Sequence, residues 1–308
     1  MFVVILAGGL ATRLRPLTEK IPKSLVPVAG RPFIDYQLEL LAHAGVADVL
    51  LCIGYLGEQI REHCGDGTRY GLRILYSDDG PEPRGTGGAL MQARPLLPEQ
   101  FFVMYGDSYL RCPYQDIWEA FSRATSPGLM TVYENENAYD RSNVVVAEGR
   151  VVVYDKTGVT PNMRHIDYGL SVFRKEVLSY APPPSFAGGP GREPGDEGEE
   201  GAPRSLGGGG QAPTSAPGFG GQVGGPKVPR SHQAEWDVAG HLVPRALARG
   251  APQAAFDVSE LHRAFIARGE LLAYEVHTRF YEVGSPAGLQ EFERLVRSGE
   301  LARAEVSA

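Results

Sequence analysis

The segment Val3-Val4-Ile5-Leu6-Ala7-Gly8-Gly9-Leu10-Ala11-Thr12-Arg13-Leu14 constrains this chain more than any other. A short apolar strand runs straight into two glycines, and with no Cβ in the way their backbone N–H groups can face outward. Arg13 follows as a planar cation, and Ile21-Pro22-Lys23-Ser24-Leu25-Val26-Pro27-Val28 adds a second, point-like one at Lys23. Strand, glycine turn and paired cations suit a polyphosphate. The plainer reading is a structural strand-to-turn passage with two solvated surface cations.

Strands and helices alternate after this loop. Pro32 to Ala44 carries Phe33, Ile34, Leu38 and Leu41 at helical spacing and stops at Gly45; Val49 to Ile53 is a continuous apolar strand. Further elements are predicted as a helix around Leu56 to His63, a strand Arg73 to Tyr76, a helix Thr86 to Leu97 and a strand Phe101 to Tyr105. The order predicts an α/β fold with a mixed, largely parallel sheet sandwiched by helices, ligands lying beyond the strands' carboxyl ends. Gly8, Gly9 and Asp107 all fall at such ends. A helix near Gln115 to Arg123, strands at Gly128 to Tyr133, Asn143 to Val146 and Val151 to Tyr154, and a strand-to-helix passage from Tyr168 to Tyr180 extend the sheet.

Composition then changes abruptly. From about residue 182 the chain is rich in Gly and Pro, poor in aliphatic residues and without period, which predicts disorder. Three segments result: 1–181 as the first part of a domain, 182–235 as a low-complexity disordered insertion, and 236–308 as the domain's closing part. The last holds a helical pattern at Ser259 to Ile266, a strand at Leu271 to Val276 and a final helix from Pro286 to about Arg297.

With 30 Lys and Arg against 37 Asp and Glu, the net charge of −7 argues against a broad nucleic-acid or anionic-membrane footprint, so bound phosphate should be held locally. Cys52, Cys64 and Cys112 lack metal-type spacing, and no signal-peptide pattern precedes the first strand. These features predict a reducing, cytoplasmic setting and a monomer or small homo-oligomer.

The register of Gly8, Gly9, Thr12, Arg13, Leu14, Pro16, Leu17, Thr18, Pro22, Lys23, Pro27 and Val28 resembles the signature of the sugar-1-phosphate nucleotidylyltransferases. The resemblance implies a Rossmann-like nucleotidyltransferase fold and transfer of a nucleotidyl group from an NTP to a sugar 1-phosphate, assisted by Mg²⁺. It places Leu6, Ala7, Gly8, Gly9 and Thr12 on the nucleotide, Arg13 on the β- and γ-phosphates and Lys23 on the α-phosphate. The metal falls to Asp107, and to Glu282 in Glu282-Val283-Gly284-Ser285-Pro286, where relatives carry aspartate. Gly85, Thr86 and Gly87 resemble a loop that approaches the nucleobase.

Asp155-Lys156 resembles an acid–lysine pair that holds sugar hydroxyls and the sugar phosphate. Asn143, Asp167 and Gly169 match positions lining the sugar pocket, and His165 beside them reads as a surface residue. Ala11 stands where relatives have a third glycine; a positive-φ turn there would cost about 1 kcal/mol or more. The compact length, without acetyltransferase-type repeats, is similar to heptose- or mannose-1-phosphate guanylyltransferases. Two alternatives remain at this stage: a non-catalytic nucleotide-sugar-binding regulatory paralogue, and a cytidylyltransferase for another phosphorylated acceptor.

Overall fold

The computed structural model describes residues 1–80, 84–158, 160–179 and 255–301. The insertion expected at 182–235 lies outside the described residues, as do Tyr180 and residues 236–254. The described residues on both sides of that stretch belong to one compact unit.

Strands β1 (Phe2–Leu6), β4 (Asp48–Ile53), β5 (Arg73–Asp78) and β6 (Gln100–Tyr105) form the parallel half of a nine-stranded sheet. Between them lie the small ribbon of β2 (Pro27–Val28) and β3 (Arg31–Pro32) and the crossover helices α1 (Phe33–His43), α2 (Gly57–Cys64) and α3 (Gly85–Ala93). β7 (Ser108–Tyr109) and α4 (Tyr114–Arg123) follow. The other half uses β8 (Gly128–Glu134), β9 (Val144–Ala147), β10 (Arg150–Tyr154), β11 (His165–Arg174), helix α5 (Val258–Ala267) and β12 (Leu271–Glu275). Strand order is β5-β4-β1-β6-β11-β8-β12-β10-β9. A last strand, β13 (Tyr281–Glu282), pairs with β7, and α6 (Pro286–Ser298) closes the described chain.

The sheet is mixed, but its second half is mainly antiparallel: β11 runs against both β6 and β8, and β10 runs against β9 and β12. Within it, β9 and β10 are joined by a two-residue turn, since a hairpin needs no crossover helix. Glu148 and Gly149 supply that turn with φ of 50° and 70°. Pro95 has no N–H to continue α3, so the expected helix to Leu97 ends at Ala93 and a 3₁₀ turn, Arg94–Leu96, follows. The helix expected towards Tyr180 is likewise a 3₁₀ turn, Lys175–Ser179, over its described residues.

Alternation along β1 shows why both faces are covered. Val3 and Ile5 join a core with Ile34, Leu38, Phe102 and Phe121, while Phe2, Val4 and Leu6 join another with Leu90, Leu261 and Phe265. A third, smaller core packs α6 onto α1 and the β7–β13 ribbon, and Phe292 is its centre. The Phe292 ring meets Phe33 at 5.3 Å, Tyr36 at 5.6 Å and Tyr109 at 4.9 Å. This packing holds the chain's last strand against the turn that carries Asp107. Among the described residues no helix is long and apolar enough to cross a membrane.

Candidate active site

The carboxyl ends of the parallel strands β1, β5 and β6 lie along one edge of the sheet, where the candidate cleft is built. At the end of β1, a Cβ on Gly9 would meet nothing within 4 Å, so the loop backbone faces open space. Gly8 is different: a Cβ there would lie 2.6 Å from an Asp79 carboxylate oxygen, so glycine allows the close approach of Asp79. Ala11 adopts φ 51° and ψ 46°, the left-handed conformation whose cost the sequence raised, and Thr18 Oγ1 donates to its carbonyl at 2.7 Å. From there the chain passes through short 3₁₀ turns that carry Arg13 and Lys23.

Lys23 forms an ion pair with Asp107, both side chains being less than one-fifth exposed. Arg13 joins them around Gly284. A Cβ placed on Gly284 would lie 3.0 Å from Asp107 Oδ2, 3.3 Å from Lys23 Nζ and 3.5 Å from Arg13 Nη2. Three charged groups from distant parts of the sequence thus surround one backbone position. β13 brings Glu282 opposite Ser108, and Val283 N–H donates to the Asp107 carbonyl at 2.9 Å. Ser285 caps α6 by accepting from Gly288 N–H at 3.1 Å, with Pro286 at the first helical position, which ends the strand at this place.

The Glu282 residue is exposed at the end of β13. Desolvation by neighbouring protein, and then the Asp107 charge, push its carboxyl above the ordinary carboxylate range, against the opposing pull of Lys23 and Arg13. Two carboxylates held together against their mutual repulsion form an oxygen-only donor set, which fits a hard divalent cation that shares its remaining positions with phosphate and water. Among the described residues no cluster of three or more acidic, His or Cys side chains is poised for a metal, so such an ion would rest on this pair.

The second half of the cleft is built on β10 and β11. Gly169, at φ 93°, marks the irregularity in β11 between Asp167 and Ser171. Asp167 accepts from Tyr154 O–H at 2.7 Å and Gly169 N–H at 3.0 Å, while its own N–H donates to the Asn143 side chain at 2.9 Å. Asn143 therefore ties strand ends together here. Lys156 lies over the rings of Tyr105 and Tyr154, at 5.6 and 5.8 Å. The Asp155 carboxylate closes a turn, its Oδ1 accepting from Thr157 N–H and Oγ1 at 2.8 Å and Gly158 N–H at 2.9 Å. Those bonds hold its carboxyl down at about 2. It shapes the loop that presents Lys156. His165 is not a free surface residue but mostly buried, its Nε2 3.8 Å from the Glu275 carboxylate.

The Gly85-Thr86-Gly87 loop packs against the segment that precedes α5. Gly87 N–H donates to the Phe256 carbonyl at 2.9 Å, Thr86 O–H donates to Asp257 at 2.8 Å, and a Cβ on Gly87 would meet the Phe256 ring at 2.1 Å. These residues dock the segment leading into α5, whose N-cap is Asp257. The Gly87 amide is thus engaged by the Phe256 carbonyl.

Sequence reasoning missed Tyr105 and Asp79. Tyr105 stands between the two halves of the cleft, where burial first, then the charges of Asp167, Asp257, Asp107 and Glu282, push its phenol far up. Asp79, just past β5, is 9% exposed, and its Oδ1 has no partner among the described residues. Burial, then Asp78, raises its carboxyl to about 6, with Arg84 opposing. Its position one residue past a strand end is the same signal that singled out Asp107.

Residues 2–153 match the Nucleotidyl transferase family. Over 111 residues, 35% of this chain and 47% of the relative, the sequence is 45% identical to N-acetylmuramate alpha-1-phosphate uridylyltransferase of Neisseria meningitidis. It is 34% identical to mannose-1-phosphate guanyltransferase beta-B of Xenopus laevis over 58% of this chain and 51% of that one. The chain thus spans about half the length of these curated relatives. Among solved structures, a putative glucose-1-phosphate thymidylyltransferase from Bacillus anthracis superposes with a TM-score of 0.67 at 16% identity, covering 96% of both chains. HddC from Yersinia pseudotuberculosis, complexed with GMP-PN, superposes with a TM-score of 0.59 at 20% identity, covering 94% of this chain and 96% of its own. At these identities the superpositions establish a shared α/β fold.

Proposed function

We propose that this chain, whose residues 2–153 match the Nucleotidyl transferase family and which is similar to sugar-1-phosphate nucleotidyltransferases, converts an NTP and a sugar 1-phosphate into a nucleoside diphosphate sugar and pyrophosphate. The observation that carries this reading is the convergence of Arg13, Lys23 and Asp107 around Gly284, beside Glu282 and the open Gly9 backbone. An oxygen of the sugar phosphate attacks the α-phosphorus, the bond from that phosphorus to the β-phosphate oxygen breaks, and pyrophosphate leaves. The nucleophile is already an oxyanion, so no general base is needed. Positioning and charge supply the catalysis.

In this scheme Arg13 clamps the β- and γ-phosphates with its planar fork, and Lys23 neutralises charge at the α-phosphate. Leu6, Ala7, Gly8, Gly9 and Thr12 border the nucleotide. Asp107 and Glu282 would hold Mg²⁺, which when bound offsets the phosphate charge during transfer. Lys156, Asp167 and the Gly169 backbone receive the sugar phosphate and its hydroxyls. Residues 1–181 and 236–308 act as two parts of one transferase domain, a reading supported by the single compact unit that the described residues form.

For the base we favour guanine, with a sugar 1-phosphate of the mannose or heptose type. Asp79 supports this choice. Asp79 is buried beside Gly8 at the end of β5, and a carboxylate there would accept both N–H groups of guanine's pairing edge if the base reached it, whereas uracil and thymine present one N–H flanked by two carbonyls. Pyrophosphate release should be measured across the common NTPs and sugar 1-phosphates, for the wild type and Asp107→Ala. Release from GTP with one sugar phosphate, lost in the variant, is the expected result. Silence throughout, with nucleotide sugars still bound, would replace it by a non-catalytic binding role.

A further inference from the structure

The turn that presents Asp107 is held by two side chains that the reaction scheme does not use. Gln37 sits in α1 among the buried Phe33, Ile34, Tyr36, Leu38 and Leu41. It is 1% exposed, and a polar group so deeply buried needs partners. Its Nε2 donates to the Tyr105 carbonyl at 3.1 Å and the Ser108 carbonyl at 2.7 Å, one on each side of Gly106-Asp107. Reversing the amide would set its oxygen against both carbonyls, so the orientation is determined. Oε1 has no partner among the described residues, which leaves the two carbonyls as what the amide is there for.

Ser24, also 1% exposed, adds a longer contact from its Oγ to the Gly106 carbonyl at 3.5 Å. It follows Lys23 in the same 3₁₀ turn, so one turn supplies both the cation paired with Asp107 and a hook on the backbone beneath it. On the remaining side, Gly106 N–H donates to the Leu6 carbonyl at 2.9 Å. The backbone is thereby pinned from α1, from the Lys23 turn and from β1. This restraint matters because Asp107 must stay close to Glu282, a like charge that pushes it away.

We propose that Gln37, assisted by Ser24, is a positioning residue that fixes the Asp107 carboxylate for cation binding and nucleotidyl transfer. The inference rests on the reading of Asp107 and Glu282 as the cation's ligands. Residues that orient metal ligands typically govern affinity by about 10- to 100-fold, and the effect expected here is at the lower end, about tenfold, because the restraint acts through the backbone.

The test is a titration with Mn²⁺ alone, following loss of the free-ion electron paramagnetic resonance signal. The variants are Gln37→Met, which keeps length and removes the donors, Gln37→Asn, which keeps the amide but withdraws it by one methylene, Asp107→Ala and Leu38→Ala. Gln37→Met should weaken Mn²⁺ binding about tenfold, Gln37→Asn less, and Asp107→Ala most. Leu38→Ala, which removes a buried apolar side chain from the same helix and no hydrogen bond to the turn, should lower thermal stability and leave Mn²⁺ affinity unchanged. In turnover assays the two Gln37 variants should lower kcat and raise the Mg²⁺ requirement with little change in the KM for NTP. Wild-type Mn²⁺ affinity in either folded Gln37 variant would overturn the positioning role while leaving the cation site standing. Failure of the wild-type protein to bind Mn²⁺ would overturn the cation reading and this inference with it.

Discussion

Gly284→Ala tests the convergence of charges on which the functional proposal stands. The new methyl would lie 3.0 Å from Asp107 Oδ2, 3.3 Å from Lys23 Nζ and 3.5 Å from Arg13 Nη2. Comfortable contacts for a carbon begin near 3.5 Å, so Asp107 must retreat by about 0.5 Å and Lys23 by a few tenths. All three neighbours are ends of side chains, and Gly284 is not among the glycines at positive φ, so the backbone accepts alanine. Folding stability should change by less than about 1 kcal/mol, the small steric cost being offset by reduced freedom of the unfolded chain. Activity should suffer far more, because an apolar group would sit between the phosphate-binding cations and the carboxylate. A misplacement of about 1 Å can cost about 100-fold, so a decrease in kcat/KM of about 10- to 100-fold is expected, or roughly 1.4–2.7 kcal/mol of transition-state stabilisation. Pyrophosphate release measured beside a urea unfolding curve separates the two quantities. Full activity in a stably folded variant would refute the idea that these groups act together at this point.

Two further perturbations probe groups whose environments the fold sets. His262 is buried, stacks on Phe173 at 5.5 Å and meets Ser171 Oγ at 3.0 Å; burial chiefly lowers its pKa to about 4 from about 6.5. Between those values the unfolded chain binds a proton that the native imidazole refuses, so stability falls as pH drops from 6.5 to 4, by on the order of 3 kcal/mol. Asp79 and Glu282, whose pKa values are raised, act in the opposite sense. The term is therefore read as the difference between wild type and His262→Gln, and identical pH slopes in urea unfolding would contradict it. Ala11→Gly should relieve a φ of 51°. Removing roughly 1–2 kcal/mol of left-handed cost against about 0.5–1 kcal/mol of added chain entropy predicts a gain of up to about 1.5 kcal/mol, and a clearly lower urea midpoint would refute the strain argument.

What the sequence made legible was local. Continuous apolar runs marked β1, β4 and β6 because both sheet faces are covered, and proline, glycine and capping residues marked where helices stop and start. The strand-end rule placed Gly8, Gly9 and Asp107 on one side of the sheet. The rule applies equally to Asp79, but nothing local distinguishes a buried, unpartnered aspartate from a solvated loop acid. Gln37 was hidden for the converse reason: one polar residue in an amphipathic helix looks like ordinary pattern noise until the carbonyls it meets are known.

The remaining gaps come from contacts between residues far apart in sequence. Thr86 bonds Asp257 across 171 positions, and Phe256 fills the space that Gly87 leaves. A glycine that admits a phenylalanine and one that admits a nucleobase look the same in sequence. Gly284 poses the same ambiguity and resolves it the other way, since its missing Cβ faces charged groups rather than an aromatic ring. Its location depends on Phe292, whose contacts with Phe33, Tyr36 and Tyr109 seat α6 and draw β13 to the Asp107 turn. The third core is thus the physical link between the closing helix and the chemistry. A glycine's role in this cleft is decided by which side chain packing brings to it, and that information is distributed over the whole fold.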